Sequence, residues 1–528
     1  MSPHPGHMFV VQADITALEC DAWLCPTDDA LHVTAGFGRP LGKPEGGFLE
    51  GYHWLPNEFA KIFEQPDMGP LIVLGRVGRM PPRNPTEVSE FIDALLPVID
   101  AFVGLATQHC AALEERPLRI ALPLIGTGQG GLQGAKGDVI RPLLAHLTKV
   151  AADRHIDLIL CTINALSWSA VQSARKADDW PLTPEESQLA ADLAVEARAG
   201  RLVFFIGAGV SRDAGLPNWR DLLTALHGEE LSKAEESSLI SLDPRDHATL
   251  IELAVGGRVH LLARLAREIG RYERFGLTHS LLASIGAEQT VTTNYDNLYE
   301  RACTRPGHSL DDDLTVLPYG RVAENRPWLL KLHGSLDQLD HEDHIVLTRT
   351  DYLSLARERS ALFGIVQALL VTKHLLFVGY SLSDEDFHQL VDEIRMAIGS
   401  SAAEHVLGTV LTTSEWPLAR LWDDLLRVEQ IGFTTELPNR HLQIFLDRVA
   451  HLATPHDSHL LDVTFAGLLD QQEVRIASSL DEVQRVVEEV LKNHPDHQTA
   501  QTVHRALQQF GARTSQRGTD EGGPNHRR

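Results

Sequence analysis

The sequence has few cysteines, and they are dispersed. Cys20, Cys25, Cys110, Cys161 and Cys303 are spread over 528 residues with no CxxC pair, which excludes a disulfide framework and a cysteine zinc site. No apolar h-region follows "MSPHPGHMF", and the apolar run over 360–372 is shorter than the roughly 20 residues a bilayer span needs. A cytoplasmic protein with no membrane partner is therefore expected. Positive charge is also scarce: 47 Lys and Arg stand against 72 Asp and Glu, a formal net charge of −25. That balance repels a phosphate backbone at long range, so nucleic acid is not an expected partner. The acidic excess reads as a solubility device. No internal repeat is visible.

The chain is long enough for two or three domains, and with 43% hydrophobic and 23% charged residues it reads as globular. The first segment alternates strand-like runs ("MFVVQADI", "AWLCP", "PLIVLGRVG", "RIALPLIG", "IDLILCTI") with helical stretches over 87–113 and 134–151, an α/β pattern. After "ARKADDWPLTPEES" the pattern restarts, which puts a boundary near 178–185. The next strands are "LVFFI", "EQTVTT", "WLLKL", "HIVLT", "LLFVGY", "HVLGTVL" and "RVEQIGF", with helices over 351–371 and 384–397. Their near-continuous apolar character fits a parallel sheet buried on both faces. A helical block over 219–274 reads as a cap on that sheet. In the tail, Ser479 and Glu482 spell a capping box ahead of Val483, Val486, Val487 and Val490 on one face, and a helix over 499–510 ends at Gly511. The expected units are thus 1–178, 185–455, a helical segment 456–512 and a disordered tail 513–528.

The stretch "FFIGAGVSRDAGLPNW" sets a strand against Gly207-Ala208-Gly209 and Ser211, a turn able to present backbone N–H groups to a phosphate. It departs from G-x-G-x-x-G, because the next glycine is Gly215 and no acidic ribose ligand ends a second strand. Alone it is equally a tight turn. Three more polar clusters close predicted strands: "TTNYD", "KLHGS" and "VGYSLSDEDF". Singly, Asn294 and Asp296 could satisfy a turn, His333 could be a core histidine, and Ser381 with Asp384 could cap a helix. Together they fall at strand ends that face one crevice of an open parallel sheet.

These motifs, in this order and spacing, resemble the sirtuin family, specifically its bacterial antiphage branch of NAD-cleaving domains, over about 185–450. The resemblance implies a Rossmann-like, doubly wound domain with NAD as substrate and no metal. Gly207, Ala208, Gly209 and Ser211 would lie at the phosphates, Trp219 near the nicotinamide, and Gly379 and Ser381 near the adenine-side ribose. Asn294 would hold the nicotinamide ribose and the reacting water, Asp296 would contact the carboxamide, and His333 would act as general base. The residue types suit the chemistry: nicotinamide leaves as a neutral group from an oxocarbenium-like centre, so positioning and a base matter more than a strong acid. Sirtuin deacylases carry a four-cysteine zinc module after the catalytic histidine, and no cysteine follows Cys303 here. Hydrolysis of NAD by water is therefore the expectation. Transfer of ADP-ribose to protein, deacylation, and a non-catalytic NAD or ADP-ribose sensor are the alternatives.

"VVQADITALECDAWLCPTDDAL" and "ALPLIGTGQGG" resemble the opening and phosphate loop of a macro domain over about 1–175. The resemblance puts Asp14 at an adenine-recognising position and Gly126, Thr127, Gly128 and Gly130 along ADP-ribose or a related nucleotide. Where that family is asparagine-rich, this chain has "CPTDD", which favours binding over hydrolysis. The pairing suggests a nucleotide-derived or phage-derived activator gating an NAD-destroying effector, with assembly into a homo-oligomer.

Overall fold

The apolar runs of the N-terminal segment form one sheet in the computed structural model, which describes residues 4–64, 69–77, 85–125, 134–227, 242–338, 345–382, 385–398, 406–415, 417–422, 424–433 and 435–512. Its strands come from β1 (Met8–Gln12), β2 (Ala22–Thr27), β5 (Ala60–Ile62), β6 (Leu71–Arg76), β7 (Arg119–Pro123) and β8 (Asp157–Thr162), while β3 (His32–Val33) and β4 (Gly47–Phe48) pair separately. The six-stranded order is β1-β8-β7-β2-β6-β5. Every neighbouring pair is parallel except β5 with β6. Helices Pro85–His109 and Lys136–Arg154 make the crossovers that parallel strands require.

The second sheet takes β9 (Leu202–Ile206), β10 (Gln289–Thr292), β11 (Thr315–Leu317), β12 (Trp328–Lys331), β13 (His374–Val378), β14 (Gly408–Thr412) and β15 (Leu426–Gln430). It is seven-stranded in the order β11-β12-β10-β9-β13-β14-β15, with all pairs parallel. Its first strand, β9, lies in the middle: the chain builds β10 and β12 on one side and then crosses to β13. That reversal is the topological switch point at which open α/β sheets bind ligands. Between β9 and β10 the cap contains helices Trp219–His227, Pro244–Ala254 and Arg258–Gly270.

Three local expectations are corrected. "HIVLT" makes no strand: Ile345, Val346 and Leu347 are buried but lie outside the sheet, with Val346 N–H bonded to the His333 carbonyl at 3.0 Å. A continuous apolar run of this length marks burial without specifying a ladder. The helix over 351–371 is broken at Arg359 into Arg349–Glu358 and Ser360–Thr372. In the tail one helix, Gln471–Asn493, runs through Ser479, and its cap is Asp470 with Glu473. The Ser479 hydroxyl instead bonds the Arg475 carbonyl one turn back at 3.1 Å. Of the valines on that helix, Val487 is buried, whereas Val483 and Val486 are exposed.

The two sheets are joined by helix Pro438–Ala453, whose Asp447 side chain is fully buried. Its carboxylate takes both arms of the Arg175 guanidinium, at 2.8 and 2.6 Å, along with the Trp180 indole N–H at 2.7 Å and His7 at 3.1 Å. Nearby, Arg440 forks onto Asp157 at the start of β8, with its closest contact at 2.6 Å. A third buried link joins Arg119 of β7 to Asp213, at 2.8 Å, and to Gln443, at 2.7 Å. Burial alone would raise the Asp213 carboxyl, but the Arg119 charge and hydrogen bond override it and hold the pKa at about 2. Burial opposes Asp447 in the same way, and Arg175 holds it well below the ordinary carboxylate range.

Removing one partner of a buried pair strands the other charge, so Asp447→Ala is expected to destabilise the chain by about 3–5 kcal/mol in urea denaturation. Both folded-state carboxyls lie below their unfolded value of 3.8. Their stabilisation is thus fully present above that pH and lost as pH falls through the folded value. The urea midpoint should drop between pH 4 and pH 2, and less steeply in Asp213→Asn.

Candidate functional site

Parallel pairing brings Ile206, Thr292, Lys331 and Val378 level at the carboxyl edge of the second sheet. Gly207, Asn294, His333 and Gly379 follow those ends by one or two residues, so the sequence clusters emerge along a single edge. Thr292 begins the arrangement: its hydroxyl donates to the Ile206 carbonyl at 2.9 Å and accepts the Asn294 N–H at 3.0 Å.

Ser211 is the centre of a buried network. Its hydroxyl donates to Asp296 at 2.9 Å and accepts from the Asn294 amide at 3.2 Å. His279, wholly buried on helix Leu277–Ile285, lies 3.3 Å away through Nε2. The ring's Nδ1 accepts the Gly276 N–H at 3.2 Å, and burial lowers its pKa, so the imidazole is neutral and donates through Nε2 to Ser211. Asn294 also donates to the Gly207 carbonyl at 3.2 Å. Its amide is thereby oriented with the nitrogen inward, and among the described residues the buried Oδ1 has no hydrogen-bond partner.

Beneath this network, Lys331 of β12 is fully buried; its ammonium bonds the Asp296 carbonyl at 2.5 Å and Glu300 at 2.7 Å. It fastens the "TTNYD" turn to the strand that leads into His333. The His333 ring is buried edge-on to Tyr352, with centroids 5.4 Å apart. Trp219 opens its helix with its ring 6.0 Å from that of Tyr295, which places it beside the Asn294–Asp296 turn. Ser381 lies past Gly379 on the opposite side of the glycine turn and is exposed.

The glycines of the turn serve close packing. A Cβ on Gly207 would stand 2.4 Å from the Gly379 carbonyl oxygen, and one on Gly379, where φ is +63°, would stand 2.5 Å from Val210 N. The N–H groups of Gly207, Gly209, Val210 and Ser211 are committed to the carbonyls of Val378, Gly379, Gly207 and Ala208. A fan of free N–H groups is therefore not what this turn offers, and Ser211 opens only the short 3₁₀ turn Ser211–Ala214. A cleft of about 330 Å³ adjoins it, lined by Gly209, Arg212, Gly379 and Thr413, by Arg116 of the first module and by Asn439 of the late helix.

In the first module, Asp14 caps a short 3₁₀ turn, its Oδ1 accepting the Thr16 N–H at 2.9 Å and hydroxyl at 2.8 Å. It also borders an inter-module cavity of about 520 Å³ together with Cys303, Arg305 and Arg326. Gly126, Thr127, Gly128 and Gly130 lie outside the described residues. Among the described residues no group of three or more His, Cys, Asp or Glu could hold a metal ion, and no helix is long and apolar enough to cross a membrane. Sequence reasoning missed His279 and the role of Lys331. The one signal for His279 was an ionisable residue inside the uncharged "LTHSLLASI".

Residues 288–424, which contain Asn294, Asp296, His333 and Ser381, match the family model of the SIR2-like domain. Similarity to particular proteins extends this. Defense-associated sirtuin 2 of Bacillus subtilis is 27% identical over 209 residues, covering 39% of this chain and 20% of that protein. The NAD(+) hydrolase ThsA of Cytobacillus dafuensis is 28% identical over 204 residues, 38% of this chain and 39% of the relative. ThsA of Enterococcus faecium is 27% identical over 259 residues, 46% and 50% respectively. The chain thus spans half or less of the length of these curated relatives.

Gly379→Ala should strain the backbone and collide with Val210, costing about 1–3 kcal/mol, and should lower the thermal midpoint. Gly36→Ala, with nothing within 4 Å of the added Cβ, is the matched control and should leave the midpoint nearly unchanged.

Proposed function

We propose that this protein is an NAD glycohydrolase that cleaves NAD to nicotinamide and ADP-ribose, acting in the cytoplasm as a regulated antiphage effector. The observation that carries the reading is the Asn294 amide, locked by Ser211 and Gly207 with its buried Oδ1 unsatisfied among the described residues. A lone acceptor in a low-dielectric site is matched by a ribose hydroxyl or the attacking water, and such preorganised groups gain strength where bulk water is excluded.

In this reading NAD lies across the switch point with its nicotinamide near Trp219 and Asp296. Asn294 orients the ribose and the water. As the bond from C1′ to the pyridinium nitrogen breaks, its electron pair leaves on nicotinamide, which becomes neutral. Water adds to C1′, and His333 takes the proton. Asp296 stays an acceptor because it already receives the Ser211 hydroxyl and the Leu298 N–H. The ThsA relatives are named as NAD(+) hydrolases, which supports the same reading.

The first module is proposed as a macro-like sensor in which Asp14 and the 126–130 loop bind an ADP-ribose-like or other nucleotide activator. Assembly into a homo-oligomer would use the exposed Val483 and Val486 face. Purified protein is to be incubated with NAD and nucleotide activators, with no protein acceptor present, and nicotinamide measured. Asn294→Ala and His333→Ala should each lower turnover by about 10²–10⁴-fold, the usual worth of a positioned base or polar group. Nicotinamide release that requires an acyl-peptide or a protein acceptor would replace hydrolysis with deacylation or ADP-ribosyl transfer.

A further inference from the structure

The glycine turn cannot by itself answer the charge of a diphosphate. The N–H groups of Gly207, Gly209, Val210 and Ser211 already bond backbone carbonyls, so counter-charge must come from side chains. Three arginines around the adjoining cleft are already paired: Arg116 with Asp21 at 2.6 Å, Arg119 with Asp213 at 2.8 Å and Arg440 with Asp157 at 2.6 Å. Arg212, which also lines the cleft, is exposed and has no carboxylate partner among the described residues.

The position of the cleft gives its role. Asn294 and His333 leave β10 and β12, on one side of β9, whereas Gly379 and Thr413 follow β13 and β14 on the other. A dinucleotide whose reacting end meets Asn294 must therefore lay its other nucleoside toward Gly379 and Thr413. There the cleft is lined by both modules, with Asn439 and Leu442 of helix Pro438–Ala453 among its residues. Glu19, Leu113, Glu115 and Arg116 of the first module close it.

Resting on the NAD reading above, we propose that the dinucleotide site is completed across the module boundary: Arg212 binds the diphosphate at the rim, and the 113–116 segment walls the adenosine end. Arg212 and Asp213 share the 3₁₀ turn Ser211–Ala214, so the diphosphate cation and the inter-module ion pair Asp213–Arg119 move together. The first module is then part of the substrate site, and any displacement of it reaches the diphosphate through a single peptide bond.

The test uses the full chain carrying His333→Ala to prevent turnover, and measures binding of NAD, ADP-ribose and nicotinamide mononucleotide by titration calorimetry. Arg212→Gln should weaken NAD and ADP-ribose about ten-fold, as expected for loss of a charge-assisted hydrogen bond, and should flatten the salt dependence of binding. Leu113 is 57% exposed, so Leu113→Trp should fold normally. It should change NAD and ADP-ribose affinity, in either direction, while leaving nicotinamide mononucleotide unchanged. If the parent binds NAD and either variant matches it within two-fold, this inference is overturned and the functional reading survives. If the parent binds none of the three probes, both fall.

Discussion

The level carboxyl ends of β9, β10, β12 and β13 are the constraint on which the site depends. Parallel pairing with Ile206, Thr292, Lys331 and Val378 in register leaves no freedom in where the next one or two residues emerge. Gly207, Asn294, His333 and Gly379 meet because their strands do, although they are spread over much of the second module. The tight contact of Gly207 and Gly209 with Gly379 then fixes the spacing between the central strand and β13. Any side chain there would wedge the switch point open.

Direction within the hydrogen-bond network matters as much as distance. Because His279 accepts the Gly276 N–H, it has one remaining role toward Ser211, that of donor, and Ser211 must then donate to Asp296. The order propagates to Asn294, whose amide has no alternative but to turn its nitrogen inward. An unsatisfied buried acceptor costs about 1–3 kcal/mol. Among the described residues Asn294 Oδ1 is such an acceptor, and in the proposed reading a ribose hydroxyl relieves it. Lys331 and Glu300 hold the same turn from below by a buried ion pair, which fixes geometry more than it adds stability.

Much of this was legible in the sequence because its signals were redundant. Apolar runs announced the inner strands of both sheets, and turn-forming residues after them announced the carboxyl edge, so Asn294, Asp296, His333 and Ser381 could be grouped with Gly207 before any geometry was known. Short edge strands carried no such redundancy: "AKI" at β5 and "TVL" at β11 are too brief to show a period. "HIVLT" misled for the opposite reason, since Ile345, Val346 and Leu347 are buried without joining a ladder. Ser479-x-x-Glu482 and Asp470-x-x-Glu473 are rival caps nine residues apart, and only the helix's actual start distinguishes them. The loss of free N–H groups at Gly207 and Gly209 was hidden as well, because it depends on the Val378 and Gly379 carbonyls, far along the chain.

The Asp447 carboxylate, held by Arg175, Trp180 and His7, has a consequence for how the chain should be divided. Its partners lie at or before residue 180 and the carboxylate itself near 450, so a buried ion pair crosses the 178–185 stretch that separates the two patterns of sequence. A cut there would leave a buried anion on one fragment and its cation on the other. Neither half is therefore an interchangeable cassette, and a graft of either module onto a new partner must bring along helix Pro438–Ala453 or a substitute for its charge.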